Sequence, residues 1–193
     1  MKNFIYAVLF TLIFSQVAVA DDKKDAEELL KGKLEQVISV LEKKTLNEEA
    51  KKKEIVEIVT PMFNFSLMSK LTLGKKHWPG LTKDQKEKFI ELFTKRLKDS
   101  YLDKMMLYSD EKIEYKEPVQ IKKKVHIPTI LTSKDNKISM LYKLYKSKQT
   151  WRIYDIEVQG VSLISTYRSQ FDEILRNKTI DDLLVKLEKP ENK

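Results

Sequence analysis

The 193-residue sequence predicts an α+β domain, on two observations. Up to about residue 110 the apolar residues recur at helical spacing, and from there to Val158 they alternate with polar ones at a period of two. At Gly160-Val161-Ser162-Leu163 the helical period returns, so a strand runs directly into a closing helix. No repeat, low-complexity tract or linker breaks the chain, which argues for a single domain.

The first twenty residues read as a secretory leader. Lys2 gives a positive start, residues 4–14 are apolar apart from Thr11, and Ala18-Val19-Ala20 is a small-x-small cleavage site before Asp21-Asp22. The apolar run is too short to span a bilayer comfortably, so cleavage after Ala20 and export of residues 21–193 are expected. Only Lys2 leaves with the leader, taking the formal charge from +8 to +7. In an exported protein that charge favours anionic membrane surfaces or acidic partners over nucleic acid, and a lysine-rich composition accounts for it equally well. The chain has no cysteine, so its core holds the fold without disulfides.

Residues 22–44 form the first predicted helix, with Ala26, Leu30, Leu34, Val37 and Leu41 on one stripe. Thr45 and Glu48 have the spacing of a capping box for a second helix, which buries Ile55, Ile58, Val59, Met62 and Phe63 and bends or ends at Pro61. Asn64 caps a short helix over residues 65–73, closed by Gly74. Thr82 and Gln85 make another box and open the longest helix, residues 83–108, with Phe89, Phe93, Leu97, Tyr101 and Met105 at i,i+4 spacing. Near Met105 this helix is apolar over more than half its circumference and needs cover on more than one side.

Four antiparallel strands follow. Ile113, Tyr115, Val119 and Ile121 mark the first, and Val125, Ile127 and Thr129 the second. Ile138, Met140, Tyr142 and Leu144 mark the third, and Trp151, Ile153, Tyr154, Ile156 and Val158 the fourth. Lys134-Asp135-Asn136 and Ser147-Lys148-Gln149 are turn-like, while Pro118 and Pro128 belong at edges or bulges. Ser162 reads as the cap of the closing helix, and Thr179 as the cap of a last one that buries Ile180, Leu183, Leu184 and Leu187 and ends at Pro190.

Enzyme signatures are missing from this pattern. His77 and His126 lie in different elements with no metal-ligand spacing. Ser162 sits on a strand-to-helix turn, as a nucleophile elbow would, but no histidine follows it. The four glycines are scattered, and the lysine runs at 51–53, 75–76 and 122–124 are not interleaved with aromatics, so neither a phosphate loop nor nucleic-acid binding is expected. The apolar material exceeds what one sheet face can bury. A two-sided core or an internal cavity for an apolar ligand would each absorb it.

Three segments resemble the MlaC-type family, the periplasmic phospholipid carriers of the Mla (maintenance of lipid asymmetry) ABC transport system, also called toluene-tolerance proteins. They are Phe63-Asn64-Phe65-Ser66-Leu67-Met68-Ser69-Lys70-Leu71-Thr72-Leu73-Gly74 with Trp78; Thr82-Lys83-Asp84-Gln85 with Phe89, Phe93 and Tyr101; and Trp151-Arg152-Ile153-Tyr154-Asp155-Ile156 with Gly160-Val161-Ser162-Leu163 and Tyr167-Arg168-Ser169-Gln170-Phe171. Asn64 stands where Asp is common, and His77 where Tyr or a basic residue is usual. The resemblance implies a curved four-stranded antiparallel sheet with helices on its concave face, enclosing an apolar pocket for the tails of a glycerophospholipid. It implies a monomeric periplasmic carrier without cofactor or metal. Its partners would be an outer-membrane lipoprotein–porin complex and the inner-membrane Mla ABC transporter. An enzyme of similar fold acting on a small apolar substrate is the alternative.

Candidate pocket residues, taken from the apolar faces, are Phe65, Met68 and Leu71 on the short helix and Phe93, Leu97, Tyr101 and Met105 on the long one. Tyr142, Leu144, Trp151 and Ile153 on the strands and Val161, Ile164 and Tyr167 at the closing helix complete the set. Arg168, a charge among apolar neighbours, is expected to pair with Asp155 or another buried carboxylate, or to reach a lipid phosphate.

Overall fold

The computed structural model describes residues 22–106, 112–133, 136–148 and 150–190. The leader, the end of the long helix past Met106 and the turn residues Lys134, Asp135 and Gln149 lie outside the described residues. Four helices come first: α1 (Asp22–Glu42), α2 (Glu48–Val59), α3 (Phe65–His77) and α4 (Lys83–Met106). The strands are β1 (Lys112–Tyr115), β2 (Val119–Ile121), β3 (Lys124–Ser133), β4 (Asn136–Ser147), β5 (Thr150–Val158) and β6 (Val161–Ser162), and α5 (Leu163–Asn177) and α6 (Ile180–Glu188) close the chain.

The caps explain most of the boundaries. Asn64 Oδ1 accepts from Leu67 N at 2.9 Å to start α3. Thr82 and Gln85 exchange their bonds at 3.1 and 3.2 Å to start α4. Thr179 and Asp182 form a capping box on α6. The second helix departs from expectation: Asn47, not Thr45, caps α2, with Oδ1 accepting from Ala50 N at 2.9 Å. Asn is at least as good a cap as Thr and stands directly before Glu48. In α3 Gly74 breaks the helix rather than ending it, with φ 62° and ψ −170°, and one more turn follows to His77.

Among the described residues the antiparallel sheet has six strands rather than four, in the order β1-β3-β4-β5-β6 with β2 also on β3. The extra count comes partly from the first predicted strand, which splits. Tyr115 pairs with Thr129 and Val119 with His126, leaving Pro118 in the gap. Pro128 in β3 accepts from Lys116 N at 2.9 Å, so its missing N–H faces the same gap, where no ladder bond is lost. The rest of the extra count is β6, two residues long, which leads into α5. Between β4 and β5 the register shifts at Lys143/Leu144, and Tyr154 is the additional residue of that bulge.

Three apolar clusters hold the elements together. In the first, α3, α4, α5 and α6 pack around Phe89, Phe93 and Phe171, with Phe171 edge-on to both other rings at 5.6 and 5.8 Å. In the second, Ala26 and Leu30 of α1 lie on Val125, Ile127, Tyr142, Leu144, Trp151 and Ile153, which share one sheet face. In the third, Val37, Val40 and Ile55 are covered by Leu102, Met105 and Met106. The apolar surplus at the end of α4 is therefore half-buried against α1 and α2.

Candidate functional site

The helical cluster and the sheet cluster meet along a seam, and Phe63 and Leu163 are half-buried against both. At one end of the seam the chain entering α3 lies alongside β5: Asn64 N donates to Ile153 O at 2.9 Å, and Phe63 makes a bridge to Ile153. Because the backbone is extended here, Phe63 and Phe65 are two apart and share a side, with rings stacked at 5.4 Å. They wall a cleft of about 780 Å³ together with Val56 and Pro61. Lys98 and Arg152 stand in the same cleft, as do Glu57, Thr60, Asn64 and Ser66.

At the other end of the seam a buried carboxylate fastens α5 to the sheet. Asp155 is 5% exposed. Its Oδ1 accepts from Ile164 N at 3.1 Å, and its Oδ2 accepts from Ser162 Oγ at 2.8 Å and Lys143 Nζ at 3.1 Å. Ser162 caps α5 by accepting from Ser165 N at 3.0 Å, as the sequence predicts. Burial alone would lower the Lys143 pKa, but the hydrogen bonds that its ammonium donates to Glu157 and Asp155 outweigh it and the net shift is upward.

Arg168 does not meet Asp155. Its guanidinium donates to Leu71 O, with Nε at 2.8 Å, and so serves one of the carbonyls that α3 orphans where Gly74 breaks it. The long guanidinium reaches across from α5 to that carbonyl, while Lys143 and Ser162 already occupy the carboxylate.

The predicted pocket residues do not converge on one cavity. Met68, Phe93, Leu97, Ile164 and Tyr167 are buried in the helical cluster, with Phe65, Leu71 and Tyr101 half-buried against it. Tyr142, Leu144, Trp151 and Ile153 belong to the sheet cluster, and Met105 to the third. Val161 is 61% exposed on β6, ahead of the first turn of α5 rather than in it. Of the whole set, only Phe65 lines the seam cleft. Val56, Pro61, Phe63, Lys98 and Arg152 were not among the predicted lining residues, although the Phe63-Asn64-Phe65 spacing across a helix cap was a usable signal. The histidines are likewise apart: His77 meets Asp172 at 2.8 Å, and His126 meets the Tyr154 hydroxyl at 3.1 Å.

A larger cleft, of about 1160 Å³, lies between α2, α4 and the end of α6. Lys51, Lys52, Lys95, Arg96, Asp99 and Asp103 wall it, and Lys52 bridges Asp103 at 3.1 Å across it. An apolar chain laid there would strip water from charges, so size alone does not make it the site for an apolar ligand.

Comparison with known proteins gives this geometry a context. The intermembrane phospholipid transport system binding protein MlaC of Haemophilus influenzae is 22% identical over 134 residues, which cover 66% of this chain and 62% of that protein's length. A phospholipid-binding protein from Ralstonia solanacearum, solved in complex with a phospholipid, shares the fold at a TM-score of 0.76 and 20% identity. That match covers 85% of this chain and 95% of the other. The family model described as MlaC protein matches residues 31–189, nearly all of the described structure, and the chain belongs to the MlaC family.

Proposed function

We propose that this protein is a periplasmic phospholipid carrier that holds acyl tails at the seam between its helical and sheet clusters. The observation that carries the proposal is the apolar cleft walled by Phe63 and Phe65, set where two separately packed cores meet. Widening a seam between two cores costs only what bridges it, the packing of Phe63 and Leu163 and the Asn64 N–Ile153 O bond, whereas opening a cavity inside one core would cost the contacts of its whole lining. Family membership and the names of the two relatives support the same reading.

The energetics explain why such a carrier exists. Two acyl chains with about 30 methylenes between them, at about 0.8 kcal/mol each, cost on the order of 24 kcal/mol to expose to water. A seam that covers the tails removes most of that barrier to crossing an aqueous space. The same magnitude forbids spontaneous release, so lipid passes only to a docked partner that offers an apolar path. The partners are the outer-membrane lipoprotein–porin complex and the inner-membrane Mla transporter, and the traffic between them keeps the outer membrane asymmetric. The protein works as a monomer and its residues bind and shield; none of them catalyses.

The test is organic extraction of protein purified from a bacterial host, with mass spectrometry for lipid. About one phospholipid per chain is expected, and its consistent absence would overturn the proposal. Phe65→Asp sharpens the test. Position 65 is the first of α3, where an acidic residue suits the helix dipole. The variant should therefore fold normally yet carry little lipid, because a charge among acyl tails is strongly disfavoured.

A further inference from the structure

We propose that the seam cleft carries a subsite for a phosphodiester, formed by Lys98 and Arg152 at the N-terminus of α3. The inference rests on the carrier reading and specifies which part of the ligand lies where. Lys98 is half-buried on α4 and Arg152 half-buried on β5, so two different elements each bring a cation to the same apolar cleft. Neither is in an ion pair among the described residues. The recorded contact of Lys98 is with the face of the Phe65 ring, at 5.7 Å.

Other half-buried or exposed cations of the chain do meet a counter-charge. Lys43, Lys52, Lys76, Lys143 and Lys146, for example, all reach carboxylates. Half-burying a cation against apolar side chains with no counter-charge is unfavourable, and a ligand anion relieves it. The start of α3 adds to the same field. Asn64, Phe65 and Ser66 all border the cleft, and a helix N-terminus presents positive charge and unsatisfied N–H groups. Glu57 also lines the cleft, but it is exposed, so its charge is screened by water.

The ligand this arrangement fits is amphiphilic. Phe63, Phe65, Val56 and Pro61 meet hydrocarbon, while Arg152 and Lys98 line the same cleft and offer a guanidinium and an ammonium to a negative oxygen cluster. A lipid phosphodiester has that form at the junction of head and tails. The subsite would recognise what all glycerophospholipids share and leave the variable headgroup alcohol outside.

The test compares two lipids with identical, fluorescently labelled acyl chains, phosphatidylglycerol and diacylglycerol, titrated onto delipidated protein. The wild type should bind phosphatidylglycerol about tenfold more tightly, the scale of one or two charge-assisted hydrogen bonds at a partly exposed site. The double variant Lys98→Gln/Arg152→Gln should lose that preference, its affinities for the two lipids becoming equal. Removing the same charge elsewhere, with Lys122→Gln/Lys123→Gln, should leave the preference intact, and inorganic phosphate should compete with phosphatidylglycerol alone. Equal binding of the two lipids by the wild type overturns the subsite and spares the carrier reading. So does a preference that survives in the double variant. If neither lipid binds, both fall. If inorganic phosphate binds at Lys98 and Arg152 while the lipids are not distinguished, the site is one for free phosphate and the lipid assignment is wrong.

Discussion

Replacing Asp155 by alanine tests the attachment of α5 to the sheet. The substitution removes the acceptor of Ile164 N, which satisfies one of the N–H groups that any helix start leaves orphaned. Loss of such a cap costs about 1 kcal/mol. It also takes one carboxylate from Lys143, whose side chain is 16% exposed, and leaves Glu157 as its one carboxylate partner among the described residues. Hydrogen bonds to charged groups contribute about 1.5–3 kcal/mol, and the low end applies because Glu157 remains. Ser162 Oγ loses its acceptor as well, for about 0.5 kcal/mol more. The three effects share one side chain and do not simply add, so a total near 3 kcal/mol is a ceiling. Asp155→Asn keeps an acceptor for Ile164 N but not the charge, and should cost about half as much. Urea unfolding reads both: the midpoint should fall by about 1.5 M in the alanine variant with an unchanged slope. A loss of less than about 1 kcal/mol would show that the carboxylate does not hold this helix.

Three other perturbations separate local causes. Gly74→Ala should cost about 2 kcal/mol, because φ 62° with ψ −170° is nearly restricted to glycine, while the new Cβ would meet Arg168 Nε at an ordinary 3.6 Å. A neutral outcome in thermal unfolding would mean that α3 does not break there. Ser69→Ala should raise stability by about 0.5–1 kcal/mol, since Ser69 Oγ is buried without a partner among the described residues and alanine is the better helix former; a fall would reveal a partner for the hydroxyl. Burial, then Lys143 and Lys124, lower the His126 pKa from 6.5 against the opposing pull of Glu157 and Asp155. Below pH 6.5 the unfolded chain takes up this proton more readily than the folded one, so the stability His126 contributes above that pH is lost as pH falls. His126→Gln should flatten that decline, and superimposable stability–pH curves for the two proteins would refute the assignment.

Local chemistry was legible in the sequence wherever one residue decides it. The cap of α3 by Asn64, the Thr82–Gln85 box, the Thr179 cap and the Ser162 cap each follow from residue type and spacing alone. The change of period near residue 110 likewise located the sheet. Tertiary choices were not legible. Asn47 and Thr45 both have cap chemistry, and nothing local ranks them. The split of the first strand depends on Pro128, thirteen residues beyond Tyr115, in a strand whose pairing the pattern does not specify. The apolar stripes are less informative for a related reason. An apolar stripe reports that a face is buried, not whether protein or ligand covers it, so Phe93 and Leu144 could not be distinguished from Phe65. The cleft depends on which stripes fail to meet their neighbours, and that is fixed only once the helical and sheet cores have formed apart.

The two bonds that α5 makes, to β5 through Asp155 and to α3 through Arg168, lie one helical turn apart. Two anchors so close on one rod act as a pivot. The sheet is held at residue 155, three residues from Arg152 in the cleft and about 10 Å along the strand. The helical layer is held at residue 71, six residues from Phe65 and about 9 Å along α3. A further tie stands at the cleft itself, where Asn64 N donates to Ile153 O at 2.9 Å and the Asn64 side chain donates to the Tyr145 hydroxyl. Rotation about α5 therefore cannot part the two lever arms unless the bonds of this one residue break first, which makes Asn64 the latch of the cleft.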